Sequence, residues 1–228
     1  YVTGMAVKQA ADELRKKILE QAALVLEAPL AEMDLEENRC VHSLTGKEIT
    51  VAQIAAQSVV GPERRQLSAY ATFGSPVSPP PYMAGFAEVE VDRETGKVSL
   101  VDYVAVVDCG TVVNPNLARV QAEGGIVQGI GMALFEEVQY DSRGNLQSNS
   151  FMTYKIPGRK DVGKIRVEFE PSHEPTGPFG AKSIGEVVIN TPAPAIAAAV
   201  YNAVGVRVTD LPITPEKVFM GMQVLSKS

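Results

Sequence analysis

Cysteine, histidine and clustered positive charge are scarce in this 228-residue chain, and each scarcity removes a class of chemistry. The only cysteines, Cys40 and Cys109, stand far apart and in no C-x-x-C pattern. A disulfide framework, a thiolate zinc site and an iron–sulfur cluster are therefore without ligands, and a reducing, cytoplasmic setting fits. His42 and His173 are the only histidines. Neither a multi-histidine metal centre nor a Ser-His-Asp triad has its parts, so no protein-held metal is expected and each histidine reads as structural or exposed. The net charge is −6 and the pI near 5.1. No Lys/Arg cluster is interleaved with aromatics, which argues against a nucleic-acid partner. No apolar run is expected to reach the about eighteen residues of a membrane span and no signal peptide is expected, so a soluble protein with no membrane partner is expected.

What is present is ordinary globular composition, 45% apolar and 21% charged, enough to bury a core in one large domain or two small ones. The chain opens Tyr1-Val2-Thr3-Gly4, without methionine and directly into a helical pattern, which suggests a piece of something longer. Val7, Ala10, Ala11, Leu14, Ile18, Ala22 and Val25 recur at helical spacing and predict an amphipathic helix ending before Pro29. Thr3 is its candidate N-cap, and with Gly4 it offers the free amides and hydroxyl that suit an anion. Residues 33–43 read as a hairpin, and Thr50-Val51-Ala52-Gln53 as a capping box opening a short helix to about Ser58. Gly61-Pro62 breaks the pattern, Gln66 to Phe73 reads as a strand, and the four prolines within Gly74 to Pro81 mark a seam. The expected division is 1–74 and 75–228.

Beyond the seam, alternation over Ala87 to Asp92, a turn to Gly96 and the run Val98 to Val107 predict a long hairpin over 82–108 with one wet face. Asn114-Pro115 precedes a helix. Further strands are expected at Glu137 to Tyr140, Lys164 to Glu170 and Val206 to Val208, with a turn at Asp141 to Gly144 and a last helix after Thr214-Pro215. The fold class is α+β: two subdomains of antiparallel strands packed on helices.

Two glycine-rich stretches stand out. In Gln121-Ala122-Glu123-Gly124-Gly125-Ile126-Val127-Gln128-Gly129-Ile130-Gly131, four glycines within eight residues weaken a helix by about 1 kcal/mol each, so something must approach its backbone. Close packing of another element is one explanation; a ligand beside Gln128 is the other. In Gly177-Pro178-Phe179-Gly180-Ala181-Lys182-Ser183-Ile184-Gly185-Glu186, three glycines bracket a lysine and a carboxylate just ahead of a helix signalled by Thr191-Pro192 and ended by Gly205. A connecting loop with a solvated glutamate is the plainer reading; a carboxylate acting on something bound against the backbone is the sharper one.

Taken in series, Asp108-x-Gly110, Asn114-Pro115, Gln121-x-x-Gly124-Gly125-x-x-Gln128-Gly129-Ile130-Gly131, Tyr154-Lys155-Ile156-Pro157 and Gly180-Ala181-Lys182-Ser183-Ile184-Gly185-Glu186 resemble the molybdenum-binding subunit of the xanthine dehydrogenase/aldehyde oxidase family. The resemblance covers nearly the whole chain but only the C-terminal part of that subunit, whose molybdopterin-binding domain supplies the expected fold. It implies a molybdopterin hydroxylase fragment. The intact enzyme would use water to hydroxylate an sp² carbon of a purine such as xanthine or hypoxanthine, or of another N-heterocycle. An aldehyde oxidoreductase of the same family is the alternative, and a non-catalytic small-molecule-binding domain a further one.

Glu186 matches the family's catalytic glutamate, a base best kept partly desolvated. Gln128 matches the glutamine beside the molybdenum centre, and Gly125 and Gly129 on either side of it are expected to be cofactor-binding with it. Lys182, Ser183, Ile184 and Gly185 match the loop along the pterin, with serine at 183 where glycine is frequent. Thr3 and Gly4 match the helix start that contacts the phosphates of the cofactor, in bacteria usually the cytosine dinucleotide form. Iron–sulfur clusters and FAD would lie on partner subunits or domains, and the N-terminal remainder of the subunit would complete the site.

Overall fold

A computed structural model describes residues 1–60 and 66–227, so the expected break at Gly61-Pro62 lies outside the described residues. The chain divides into two units, Tyr1–Ser78 and Pro79–Ser228.

In the first unit, helix α1 spans Val2–Leu26 and ends where Glu27 turns left-handed (φ 52°), two residues before Pro29. Thr3 is not its N-cap. The Met5 N–H already donates to the Tyr1 carbonyl at 3.0 Å, which makes Tyr1 the cap and puts Thr3 and Gly4 in the first turn, where their amides have no partner within the helix. Strands β1 (Met33–Glu36), β2 (Arg39–His42) and β3 (Glu48–Thr50) form an antiparallel sheet in the order β1-β2-β3. Leu19, Ala22 and Ala23 of α1 share a core with Met33, Cys40, Ile49 and Ile54. Helix α2 (Val51–Val60) opens on a reciprocal capping box, in which Gln53 N–H donates to Thr50 Oγ1 and Thr50 N–H to Gln53 Oε1. His42 is structural: its ring nitrogens meet Glu32 at 2.6 Å and Thr45 at 2.5 Å.

The second unit is built on β5 (Val98–Asp108), flanked by β4 (Tyr82–Val91) and β6 (Lys164–Phe169). β4 and β5 form the expected antiparallel hairpin. β6 instead runs parallel to β5, with Asp102 opposite Lys164 and Val107 opposite Phe169, so this sheet is mixed. A parallel neighbour needs a long crossover, and the connection from β5 to β6 carries one in helix α3 (Pro115–Leu134). Tyr103, Ala105 and Val107 of β5 meet Ile126 and Ile130 of α3 and Ile196 and Val200 of α4 (Pro192–Val204) in the core. Helix α5 (Pro215–Leu225) is capped by Thr214, whose hydroxyl accepts from Lys217 N–H.

Three expected strands are absent. Gln66 to Phe73 forms no ladder, Glu137 to Tyr140 reduces to one bridge between Tyr140 and Leu146, and Val206 to Val208 runs as irregular chain with Val206 buried against Gly221. A strand exists only where a second strand offers its backbone, and among the described residues none does here. Thr191 occupies the N-cap position of α4 without capping it; its hydroxyl meets the buried Tyr103 hydroxyl at 2.8 Å. By length and composition, Val187–Val204 could cross a membrane, contrary to expectation. Here it is a 3-10 turn followed by α4, with Val188, Ile196 and Val200 buried in the unit's core.

Candidate functional site

Helix α3 positions the site. Asn114 caps it by accepting from Leu117 N–H at 3.1 Å, and Pro115 fills the first helical position, where no N–H is needed. Ala122, Ile126, Ile130 and Ala133 turn one face into the core. The adjoining face carries Gln121, Gly125 and Gln128, spaced one turn apart and directed at the loop ending in Glu186.

The glycines of this helix divide into two kinds. A Cβ on Gly125 would stand 2.3 Å from Val188 Cγ2, and one on Gly129 would stand 2.7 Å from Pro192 Cγ and 2.9 Å from the Ile189 carbonyl oxygen. These two are notches that seat the 3-10 turn Val187–Ile189 and the start of α4, so close packing accounts for them. Among the described residues a Cβ on Gly124 would meet nothing within 4 Å, and neither would one on Gly185 at the end of the loop. The contrast is measurable. Gly125→Ala should lower stability by about 1–3 kcal/mol through the clash with Val188, despite a helix-propensity gain of about 1 kcal/mol. Gly124→Ala should gain about 0.5–1 kcal/mol. Thermal unfolding of the two variants checks this, and shifts of the same sign would contradict the division.

The loop is framed from below. Asp108, at the end of β5, accepts from Lys182 Nζ at 2.7 Å, Ser172 Oγ at 2.6 Å and Gly110 N–H at 2.9 Å. Desolvation pushes its carboxyl up, but those three donors outweigh it and hold the group down at about 2. Gly110 turns left-handed (φ 71°) with the Gly180 carbonyl so close that no side chain would fit. Lys182 therefore spends its ammonium on Asp108, with the Tyr82 ring 5.4 Å away, and its amide on the Cys109 carbonyl. Ser183 is exposed, and Ile184 packs against the core. Burial and the neighbouring Asp108 charge raise the Cys109 thiol pKa, which suits an inert structural cysteine.

Above this frame, Gln121, Gly124, Gly125, Gln128, Gly185 and Glu186 line one cleft of about 300 Å³, together with Val120 and Ile189. Gln128 and Glu186, 58 residues apart, are brought to the same opening. Among the described residues neither side chain has a hydrogen-bond partner, so an amide and a carboxylate face the cleft uncommitted. Glu186 is exposed rather than partly desolvated. Thr3 and Gly4 belong to the first unit. Among the described residues no three His, Cys, Asp or Glu side chains are grouped to hold a metal ion.

The domain family described as molybdopterin cofactor-binding matches residues 1–163. This chain is a molybdopterin-binding part of the xanthine dehydrogenase/aldehyde oxidase family. It is 36% identical over 222 residues to a probable hypoxanthine oxidase of Escherichia coli (strain K12), matching 97% of this chain and 23% of that protein. It is 33% identical over 223 residues to a putative xanthine dehydrogenase molybdenum-binding subunit of the same strain, matching 96% of this chain and 30% of that subunit. Among solved structures, quinoline 2-oxidoreductase from Pseudomonas putida 86 superposes with a TM-score of 0.79 at 32% identity, over 94% of this chain and 29% of that one. The chain thus spans less than a third of the length of these relatives.

Two site features escaped the sequence. The bond from Gln121 Nε2 to the Gly185 carbonyl, 3.0 Å, ties α3 to the loop, and the Asp108–Lys182 pair ties the loop to the sheet. Both partners of each stood in the motifs, but separations of 64 and 74 residues carry no sign of contact.

Proposed function

We propose that this chain belongs to a molybdenum hydroxylase that transfers oxygen from water to an sp² carbon of a purine or related N-heterocycle, with Glu186 as the base. The observation that carries the reading is the shared cleft: an uncommitted carboxylate, an uncommitted amide and two glycines with open faces, Gly124 and Gly185. A flat cofactor fits such a surface, because glycine admits a ligand to the backbone itself. The relatives named for hypoxanthine and xanthine favour a purine.

The residues take the following roles. Gly125, Gly129 and Ile184 keep the cleft walls in place through packing, while Gly185 and Ser183 would hold a bound cofactor through backbone and hydroxyl and Gln128 would donate to it through Nε2. Lys182 holds the loop through Asp108. The amides of Thr3 and Gly4, in the first turn of α1, suit the phosphates of a cytosine dinucleotide extension. A molybdenum cofactor, when bound, supplies the two-electron oxidant. A Glu186 carboxylate oxygen takes the proton from the water-derived hydroxyl as its oxygen bonds to the substrate carbon. The balance is R–H and H₂O giving R–OH, two protons and two electrons, and the electrons leave to iron–sulfur and FAD partners in a cytoplasmic complex. The N-terminal remainder of the subunit would close the cleft over Glu186.

The intact complex should carry about one molybdenum per subunit and oxidise xanthine or hypoxanthine with label incorporated from ¹⁸O-water. Activity confined to aldehydes would move the substrate class, and a complex without molybdenum would overturn the reading.

A further inference from the structure

Glu186 lies on a short span of chain fastened at both ends to the same helix. Upstream, the Gly185 carbonyl accepts from Gln121 Nε2 at 3.0 Å. Downstream, the fully buried Val188 fills the notch over Gly125. Gln121 and Gly125 are one turn apart on α3, about 6 Å along its axis. The two fastenings are therefore at successive turns of one rigid element. Between them the Ile189 N–H donates to the Glu186 carbonyl at 3.1 Å and closes a 3-10 turn.

The upstream fastening falls on the residue that needs it most. Gly185 has no Cβ and, among the described residues, nothing within 4 Å of where one would stand, so no side-chain packing selects its backbone angles. A peptide group is planar, so fixing the direction of the Gly185 carbonyl fixes the Glu186 N–H and Cα as well, and the 3-10 turn held by the Glu186 carbonyl then restricts the N–Cα rotation that carries the side chain. We propose that Gln121 is a positioning residue: its amide sets the orientation of the Gly185–Glu186 peptide and thereby aims the Glu186 carboxylate into the cleft. The inference rests on Glu186 being the base.

Gln121→Met removes the donor while keeping side-chain length and helix propensity. In the intact molybdenum-loaded complex, kcat should fall about 10-fold to 100-fold, the cost of a misplaced reacting group, with KM and molybdenum content unchanged. Amide hydrogen exchange over residues 183–189 should accelerate about ten-fold or more as the span loosens. In a Glu186→Gln background, single-turnover rates should show no further loss from Gln121→Met, because the effect passes through Glu186. An equal loss in both backgrounds, or unchanged exchange over 183–189, overturns the inference while leaving Glu186 as the base. Full activity of Glu186→Gln alone would instead remove the reading beneath it.

Discussion

Glu186→Gln in the intact enzyme is expected to cut turnover by about 10²–10⁴-fold while molybdenum content and unfolding temperature stay near those of the parent protein. The substitution keeps volume and shape but replaces a proton acceptor with an amide that cannot take a proton. Stability should hold, because the carboxylate has no hydrogen-bond partner among the described residues and is exposed, so no internal bond is broken. Cofactor retention should hold for the same reason, with Gln128, Gly124 and Gly185 unchanged around the cleft. Steady-state rates with parallel metal analysis make the measurement. A variant that keeps most of its activity would refute the base assignment; one that loses molybdenum in proportion to activity would turn Glu186 into a binding group.

Asp108→Ala should produce the opposite pattern, a large loss of stability of about 2–4 kcal/mol. The Lys182 and Asp108 side chains are 12% and 20% exposed, so removing the carboxylate strands an ammonium with little water, and it leaves Ser172 Oγ and the Gly110 N–H without their acceptor. The expected value lies below that of a fully buried pair because some water reaches both groups. The pH dependence has a definite sign. A carboxyl held at about 2, below the ordinary carboxylate range, binds its proton more weakly folded than unfolded. Its stabilisation, about 2 kcal/mol, is complete above about pH 4 and fades as pH falls toward 2. Denaturant curves of parent and variant should converge over that window, and a constant gap would show that the bond to Lys182 is not the source. Asp108→Asn, which can still accept from Ser172 or Gly110, should lose less.

Helix ends were the most legible part of this sequence because they are written in residues with stereochemical consequences. Asn114-Pro115, Thr214-Pro215, Gly205 and the Thr50/Gln53 pair each mark an observed boundary. Strands were less legible, since a strand is a relation between two segments: Val206 to Val208 has the right residues and no partner, and the parallel direction of β6 follows from a crossover that no local pattern encodes. The same holds at the cleft. Glycine is one symbol for two circumstances, and only coordinates separate Gly125 and Gly129, filled by Val188 and Pro192, from Gly124 and Gly185, which nothing fills. Threonine shows the converse, because Thr191 has a capping residue's identity and position but gives its hydroxyl to Tyr103.

The stretch of α3 from Gln121 to Gln128 covers about 10 Å of helix, and both uncommitted polar groups of the cleft, Gln128 and Glu186, are referred to it, one directly and one through its fastened loop. That gives the chemistry its own internal gauge, independent of whatever surface lies opposite. A lineage could exchange the facing wall, and with it the molecules admitted, without recalibrating the spacing between amide and carboxylate. Changes along the helix itself would be far less forgiving, since every substitution there disturbs the scale against which the reacting groups are set.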